Sequence, residues 1–443
     1  MAQYSTSLRT QYLNPRSHIK NRSTEFRLDA NTVYQSNFRL LNVGLKKAGA
    51  TGNYNPSSGV LSLIQNIRLM DGSRELSSLR QAPDYTAFKN ITASNEKVSS
   101  IHDALHKSRA GLQLQDDGAL HGYSTTDDSI PQDNFDDSKS GYVDLSLFLP
   151  LLSNVASFDT SMFKNLRLVI EYSNLNHYGS KNKADVLEVQ EPVLCVDEIV
   201  GDKKLAAMKS QAMKTVVWSE IESDTMIIPF DQVATGGANV LNTKEQIVNA
   251  VINGFDNKYV SRVLVVKTYQ DKGFNYNTTN GALGRGNLVS LAMFKDSLQV
   301  RHKGSNIFNG DALSNMGYRQ MLLEETFGQI TVPPFGAAEH IGDHKSSVGP
   351  VAGAGINVSG QLATIVENAV RTESRFIGQY DYIGFQIEDY VKQLQFNYSR
   401  ECVQDTSTGG GSQKNNVAMQ IMIYAEVRKQ LSFANGKYDV SYV

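Results

Sequence analysis

Apolar and polar residues alternate one by one in many short stretches of this chain, and this alternation strongly limits how the chain can fold. Successive side chains of a β-strand point to opposite faces, so such stretches predict strands with one buried side. The clearest stretch runs from Leu166 to Tyr172. Similar alternation occurs at Thr24–Leu28, Leu145–Leu149, Leu187–Val189, Leu394–Tyr398 and Met419–Ile423. With loops rich in Gly, Asn, Asp and Ser between them, these strands predict an all-β sandwich or barrel.

Helical periodicity is confined to a few segments. The candidate helices are Glu75–Ala82, Lys203–Thr215, Asn315–Phe327 and Ile365–Arg371. The first of them is expected to stop at Pro83, because proline lacks a backbone donor and clashes with the preceding turn. The candidate helices do not alternate regularly with strands, which argues against a parallel α/β fold.

Two strand patterns recur about half a chain length apart, and this recurrence indicates a duplicated β domain. The alternating stretch that begins at Asn165 has a counterpart that begins at Gln393. Ile67–Leu69 has a counterpart in Leu298–Val300, and both are followed by a Gly-Ser pair and a short helical stretch. The candidate helix Lys203–Thr215 lies between the two halves, where a linker is needed.

The chain is therefore predicted to have four segments: an N-terminal arm (1–23), a first β domain ending in the linker helix (24–215), a second β domain (216–433) and a C-terminal arm (434–443). The first 24 residues are basic and contain no acidic residue. This composition is typical of an arm that becomes ordered on a partner or an anionic surface, or of a frayed tail. The C-terminal arm fits either a strand added to a neighbour's sheet or a disordered tail.

Composition excludes several classes of protein. The formal net charge of −2 over 443 residues argues against a protein that wraps nucleic acid, which needs a strong basic excess. Two cysteines, Cys195 and Cys402, exclude a disulfide-rich scaffold. They are expected to be buried free thiols, although one disulfide stays possible. The N-terminus lacks the pattern of a secretory signal, and the longest apolar stretch, Leu145–Ala156, is too short and polar to cross a bilayer.

No motif marks a catalytic, cofactor-binding or metal site, so none is assigned and the chain is not expected to be an enzyme. Two histidine pairs have helical spacing but lack the glutamate of a metalloprotease helix. Acidic residues between 116 and 137 lack the order of an EF-hand and are interpreted as a solvated loop, with a weak cation site as the alternative. The glycine clusters near residues 281–286 and 349–355 lack the strand, helix and lysine of a phosphate loop. The histidine pairs are His102 with His106 and His340 with His344.

Several segments resemble one family of viral proteins. In the first half these are Tyr34–Gly44, Ile64–Gly72 and Ala87–Asn90. In the second half they are Tyr259–Lys267, Val391–Arg400 and Ile423–Lys429. In this order they resemble the two jelly rolls of major capsid proteins from tailless double-stranded DNA viruses, of the polinton-like virus and virophage type. The resemblance extends from about Thr24 to Phe433 and rests on strand patterns.

The resemblance implies an all-β fold of two tandem eight-stranded jelly rolls with short helices and long loops. It further implies a homotrimer whose six jelly rolls form a pseudo-hexameric tile of an icosahedral shell. The implied partners are neighbouring capsomers, vertex (penton) and minor capsid proteins and, where the virus has one, an inner membrane, with no sequence-specific nucleic acid. The implied location is the virion capsid, and the chain would be made in the host cell without a secretion signal. From its basic, acid-free composition, the N-terminal arm is expected to touch a neighbouring subunit, an inner membrane or a minor protein beneath the shell.

A carbohydrate-binding or glycosidase-type β-sandwich is the alternative function. Carboxylate pairs that hydrolyse glycosides meet only in the folded protein, so the sequence does not exclude them. A sugar platform, however, commonly uses tryptophan, and Trp218 is the only tryptophan in the chain.

Overall fold

The computed structural model describes eleven stretches of the chain. They are residues 7–47, 60–91, 143–173, 187–201, 215–228, 246–269, 296–310, 316–328, 381–400, 419–434 and 437–443. The Asp-rich segment 116–141, the segment 335–360, the histidine pairs, the glycine clusters, Cys402 and the candidate helix Ile365–Arg371 lie outside them. So does the candidate linker helix, apart from Thr215.

The first half contains thirteen strands and two α-helices within the described residues. The strands are β1 (Ser7–Leu13), β2 (Ser17–Ile19), β3 (Ser23–Arg27), β4 (Val33–Gln35), β5 (Arg39–Leu41), β6 (Leu45–Lys47), β7 (Ile64–Asp71), β8 (Arg74–Arg80), β9 (Val143–Asp144), β10 (Ser157–Asp159), β11 (Leu166–Tyr172), β12 (Leu187–Val189) and β13 (Val193–Val200). The helices are α1 (Ala82–Ile91) and α2 (Pro150–Asn154).

The second half contains nine strands and one α-helix within the described residues. The strands are β14 (Thr215–Ile228), β15 (Gln246–Ile252), β16 (Tyr259–Tyr269), β17 (Asp296–His302), β18 (Ser305–Asn306), β19 (Asp381–Tyr390), β20 (Leu394–Arg400), β21 (Met419–Ala434) and β22 (Lys437–Tyr442). The helix is α3 (Met316–Phe327), which confirms the helix predicted at Asn315–Phe327.

The two halves have the same strand connectivity. In the first half, one sheet has β13 at its centre, paired with β1 on one side and with both β4 and β5 on the other. Strand β4 pairs further with β10, and β5 pairs further with β9. The facing sheet has the order β2-β3-β11-β7-β8. In the second half the corresponding sheets are β14-β21-β16-β19, with β22 also on β21, and β15-β20-β17-β18.

Each half therefore forms a jelly roll. The eight principal strands, counted along the chain, are β1, β3, β4–β5, β7, β8, β9–β10, β11 and β13 in the first half and β14 to β21 in the second. With this numbering the two sheets have the orders 1-8-3-6 and 2-7-4-5 in both halves. The predicted repeat is confirmed, because its members occupy equivalent strands: β11 matches β20, and β7 matches β17. Gly72 and Gly304, which follow β7 and β17, both adopt positive φ (60° and 81°) in the turns to the next strand. Glycine adopts this conformation without the steric cost that a Cβ atom adds.

Two sequence predictions are wrong at the local level. The predicted helix Glu75–Ala82 is instead strand β8, and helix α1 begins where that prediction ended. Pro83 lies in the first turn of α1, where the missing N–H would have no helical partner in any case. The predicted strand at Leu145–Leu149 is a short 3₁₀ helix, because the Asp144 side chain accepts a hydrogen bond from the Ser146 backbone N–H at its start.

Both chain ends take part in the sheets. Strand β1 pairs antiparallel with β13 from Ser7 to Leu13, although the sequence analysis assigns it to an arm. Strand β22 pairs with β21 of the same chain. We therefore propose that the first roll begins near Ser7 rather than Thr24, and that the second begins near Thr215 and includes the C-terminal strand. Removal of residues 1–23 would then destabilise the first roll itself.

The core is continuous between the two rolls. A second cluster of buried residues lies within the second roll alone, whereas the first roll's cluster extends into the second roll. Its second-roll members are Trp218, Ile221, Leu264, Val266, Leu323, Tyr382, Met422, Tyr424 and Leu431. This contact between the rolls is called the seam. The first roll contributes residues 71–91, helix α2 and Phe163 to it. Among the described residues, no helix is long and apolar enough to span a membrane.

Gly310 is a close-packing point in the second roll. A Cβ atom built there would lie 2.6 Å from the backbone oxygen of Leu298, in strand β17. Because a backbone atom cannot turn aside, Gly310→Ala is expected to lower the free energy of unfolding by about 1 to 3 kcal/mol in urea titrations.

The matched control is Gly254→Ala. There the added Cβ would meet only the end of the Asp224 side chain, at 2.8 Å, and that side chain can rotate away. An equal loss of stability in the two variants would contradict the assignment of the Gly310 effect to backbone crowding.

Candidate functional site

The seam begins with helix α1, which places aromatic rings against the second roll. The ring of Phe88 lies 4.9 Å from that of Phe327 and 5.2 Å from that of Tyr382. Tyr85 lies 5.4 Å from Tyr424. Phe88 and Tyr85 are three residues apart, so they share one face of the helix. These aromatic pairs bury apolar surface from both rolls in one cluster.

Polar and charged groups of the second roll surround helix α1. The hydroxyl of Tyr424 donates a hydrogen bond to the Gln81 carbonyl at 2.6 Å, just before the helix begins. Arg262 forms an ion pair of 2.6 Å with Glu426 and lies 5.0 Å above the Phe327 ring. Burial lowers the pKa of Lys89, while the charge of Glu426 opposes this shift.

A buried carboxyl group joins the two rolls beside this cluster. Glu220, on β14, is only 1% exposed. Its Oε1 accepts hydrogen bonds from Ser77 Oγ at 3.0 Å and from the Ser78 backbone N–H at 3.2 Å, both on β8 of the first roll. Its Oε2 accepts a hydrogen bond from Trp218 Nε1 at 2.8 Å. Burial raises the pKa of Glu220 to about 7, although the charge of Lys429 and these hydrogen bonds lower it.

Lys429 supplies positive charge to two acidic residues. Its Nζ lies 3.9 Å from Glu220 Oε2 and 3.8 Å from Glu222 Oε1. Glu222 also pairs with Lys258 at 2.5 Å and accepts a hydrogen bond of 2.5 Å from the Tyr442 hydroxyl. The Tyr442 ring lies within 4.5 Å of Lys258 Nζ and 5.3 Å of Lys429 Nζ. The final strand thus covers this charge cluster.

The C-terminal strand β22 contacts the first roll directly. The Tyr438 hydroxyl donates a hydrogen bond to Asp71 Oδ2 at 2.8 Å, and the Tyr438 ring lies 5.2 Å from Phe163. Arg74 pairs with Asp439 at 2.5 Å and lies 5.2 Å above the Tyr438 ring. The segment predicted to be a free arm therefore fastens one roll to the other.

The outer faces of the two rolls differ in chemistry. On the outer face of the first roll, Arg167 pairs with Glu25 at 3.3 Å, and Arg68 pairs with Glu171. The equivalent face of the second roll presents a charged side chain, Arg301 opposite Gln395, among otherwise neutral side chains. Those on β15, β20 and β17 are Ile247, Asn249, Val251, Gln395, Asn397, Ser399, Ser297 and Gln299. Two rolls of one topology thus present different surfaces to neighbours.

The edge of the second roll carries exposed apolar side chains. Strand β15 is the edge strand of its sheet, and Ile247 and Val251 on it are 63% and 50% exposed. Leu8 and Tyr12 are exposed on edge strand β1. Exposed sheet edges with apolar residues are typical of surfaces that a partner covers.

The residues that the sequence analysis singled out do not form a catalytic site within the described part of the chain. Cys195 is a buried free thiol, as expected. Trp218 is 2% exposed in the seam, so it does not form a platform for a sugar. Among described residues no group of three or more His, Cys, Asp or Glu could hold a metal ion.

The charge cluster at the seam is not among the features predicted from the sequence. Trp218, Glu220 and Glu222 alternate along β14 and so share a face of that strand. If the large apolar Trp218 is assumed to be buried, Glu220 on the same face of the strand is expected to be buried with it. Its partners Ser77 and Lys429, however, are remote in the sequence.

Solved structures of viral capsid proteins match almost the whole chain, and two of them illustrate the likeness. PBCV-1 VP54, whose crystal structure was fitted into a cryo-EM reconstruction of the virophage Sputnik, is 9% identical with a TM-score of 0.53; the match covers 100% of this chain and 98% of that one. The mavirus major capsid protein is 10% identical with a TM-score of 0.50, and the match covers 99% of this chain and 90% of that one. No protein-family model and no curated protein matches the sequence. The matches and the two like-connected halves confirm the predicted fold: the chain is a double jelly roll, as the mavirus major capsid protein is.

Proposed function

We propose that this chain is a viral major capsid protein that assembles as pseudo-hexameric trimers into an icosahedral shell. The observation that carries the proposal is the pair of like-connected jelly rolls held together by a buried seam. Three such chains contribute six similar rolls, and six similar rolls approximate sixfold symmetry in a tile. The buried seam holds the two rolls together as one unit, which regular tiling requires.

The surfaces of the rolls support assembly with copies of the same chain. The apolar side chains on the edge strands β1 and β15 would be covered in a trimer, which removes an aggregation liability. The outer face of the first roll carries ion pairs and that of the second is mostly neutral, which gives each roll a distinct neighbour. The small net charge of −2 keeps repulsion between adjacent tiles low.

In such a shell the partners are neighbouring trimers, vertex (penton) proteins and minor capsid proteins, together with an inner membrane if the virus has one. The location is the virion capsid. The proposed role is structural and needs no catalytic residue or cofactor. The likeness to capsid proteins and the two-roll architecture support this role over a carbohydrate-binding one, for which the buried Trp218 offers no platform.

Size-exclusion chromatography with light scattering tests the proposal on the full chain. The expected mass is three times that of the 48.9 kDa chain, and electron microscopy of concentrated protein should show hexagonal tiles or closed shells. A stable monomer at high concentration, with no larger assembly, would contradict the proposed function.

Ile247→Asp tests the edge strand of the second roll. Burial of an isoleucine side chain contributes about 1.5 to 3 kcal/mol, so a charge there should weaken trimer association by about tenfold or more. The dissociation constant is measured by sedimentation. Because Ile247 is 63% exposed in the single chain, the melting temperature of the dissociated chain should not change. Unchanged association would exclude this edge from the trimer contact.

A further inference from the structure

The buried carboxyl group of Glu220 has a second property that capsid assembly does not require. It is a titratable group in the middle of the seam, and it lies on the second roll while accepting hydrogen bonds from Ser77 and Ser78 on the first. Any change in its charge therefore acts directly on the contact between the two rolls.

Charged and titratable groups face Glu220 from several of the elements packed around it. Lys429 lies on β21 and Glu222 on β14. Tyr442 lies on β22, and Lys258 precedes β16. Strand β8 adds Glu75, which pairs with Arg80 at 3.6 Å. Helix α2, which also packs on β14, has no charged side chain.

These surroundings accommodate the neutral form of Glu220. The Ser77 hydroxyl can reverse its role and accept a hydrogen bond from a protonated Oε1, since a hydroxyl both donates and accepts. Lys429 keeps a negative neighbour in Glu222, 3.8 Å away, when Glu220 is neutral. The ionised form keeps its hydrogen bonds, but its charge is removed from water, which is costly in a buried site.

We propose that Glu220 is a proton-operated latch between the two jelly rolls, which holds the seam tightly when its carboxyl group is neutral and loosens it when the group ionises. The latch is a property of the single chain and does not depend on the proposed capsid function.

The direction of the pH dependence follows from burial. In the closed seam the pKa of Glu220 is raised from its ordinary value of 4.5 to about 7. The folded chain therefore binds this proton more tightly than the unfolded chain does. Its contribution to stability is largest below about pH 4.5, falls as the pH rises to about 7 and is constant above that.

Trp218 provides a local readout, because it is the only tryptophan in the chain and its indole N–H donates to Glu220. Its fluorescence in the full chain is recorded from about pH 5 to about pH 8, across the range that the shifted group covers. We expect one transition near pH 7 in the wild type and a flat profile in Glu220→Gln. Glu198→Gln, which changes a first-roll acid paired with Arg9, should keep the wild-type transition.

Hydrogen–deuterium exchange of the wild type provides a second measurement that needs no variant. After correction for intrinsic exchange rates, protection of strand β8, which includes the Ser78 N–H, should fall through the same transition. A fluorescence profile in Glu220→Gln that matches the wild type would overturn the proposal. The proposal would also be overturned if wild-type fluorescence and β8 protection both stayed constant between about pH 6 and about pH 8. This second test uses the wild type alone, so it applies even if the variant does not fold.

Discussion

Phe88→Ala is expected to lower the free energy of unfolding by about 3 to 5 kcal/mol, because it leaves a cavity in a buried aromatic cluster. Phe88 touches Phe327 and Tyr382 of the second roll, so the loss falls on the contact between the rolls. Urea titration followed by circular dichroism measures the loss. We also expect one cooperative transition in the wild type to become two in the variant, because each roll then unfolds more independently.

Phe396→Ala is the matched control for Phe88. Phe396 is fully buried in the second roll's own core cluster and is not part of the seam. Its loss should cost similar free energy but destabilise the second roll alone. If both variants gave the same unfolding profile, Phe88 would have no special role in coupling the rolls. In the proposed function, Phe88→Ala should also reduce shell yield more than Phe396→Ala.

Lys429→Met is expected to cost about 3 to 5 kcal/mol at pH 8, because it leaves buried negative charge without its cation. Lys429 is 6% exposed and lies between Glu220 and Glu222. The cost should be smaller at pH 6, where Glu220 binds a proton and needs less positive charge beside it. Thermal and urea unfolding at the two pH values measure this difference.

Two further variants test the origin of the Lys429 effect. The double variant Lys429→Met with Glu220→Gln should recover a large part of the stability at pH 8, because it removes the unpaired charge. Lys258→Met removes the other cation near Glu222, but its side chain is more exposed, so the loss should be smaller. A cost for Lys429→Met that is equal at both pH values and unaffected by the second change would indicate lost packing instead of lost charge.

The strands were largely predictable because their signal is local. The alternation at 166–172 and at 394–398 identifies β11 and β20 directly, since inward and outward side chains alternate along a strand whatever it pairs with. The half-length recurrence of these patterns identified the duplication. The helix near residues 316–327 was predicted from local spacing in the same way.

Local patterns failed where neighbouring elements decide the conformation. Residues 75–80 have a helix-compatible sequence, but pairing with β7 makes them a strand. Residues 145–147 alternate like a strand, but the cap from Asp144 makes them helical. The ends of the chain resembled arms because their composition says nothing about β13 and β21, the strands that pair with them.

The sequence by itself determined the all-β class, the duplication and most of the strands, because those depend on side-chain periodicity within a few residues. Only the tertiary structure decided how the rolls are joined: Ser77 and Glu220 are 143 residues apart, and no local pattern relates them. The pKa of Glu220 belongs to the same category, because it depends on how much water the assembled seam excludes from the carboxyl group.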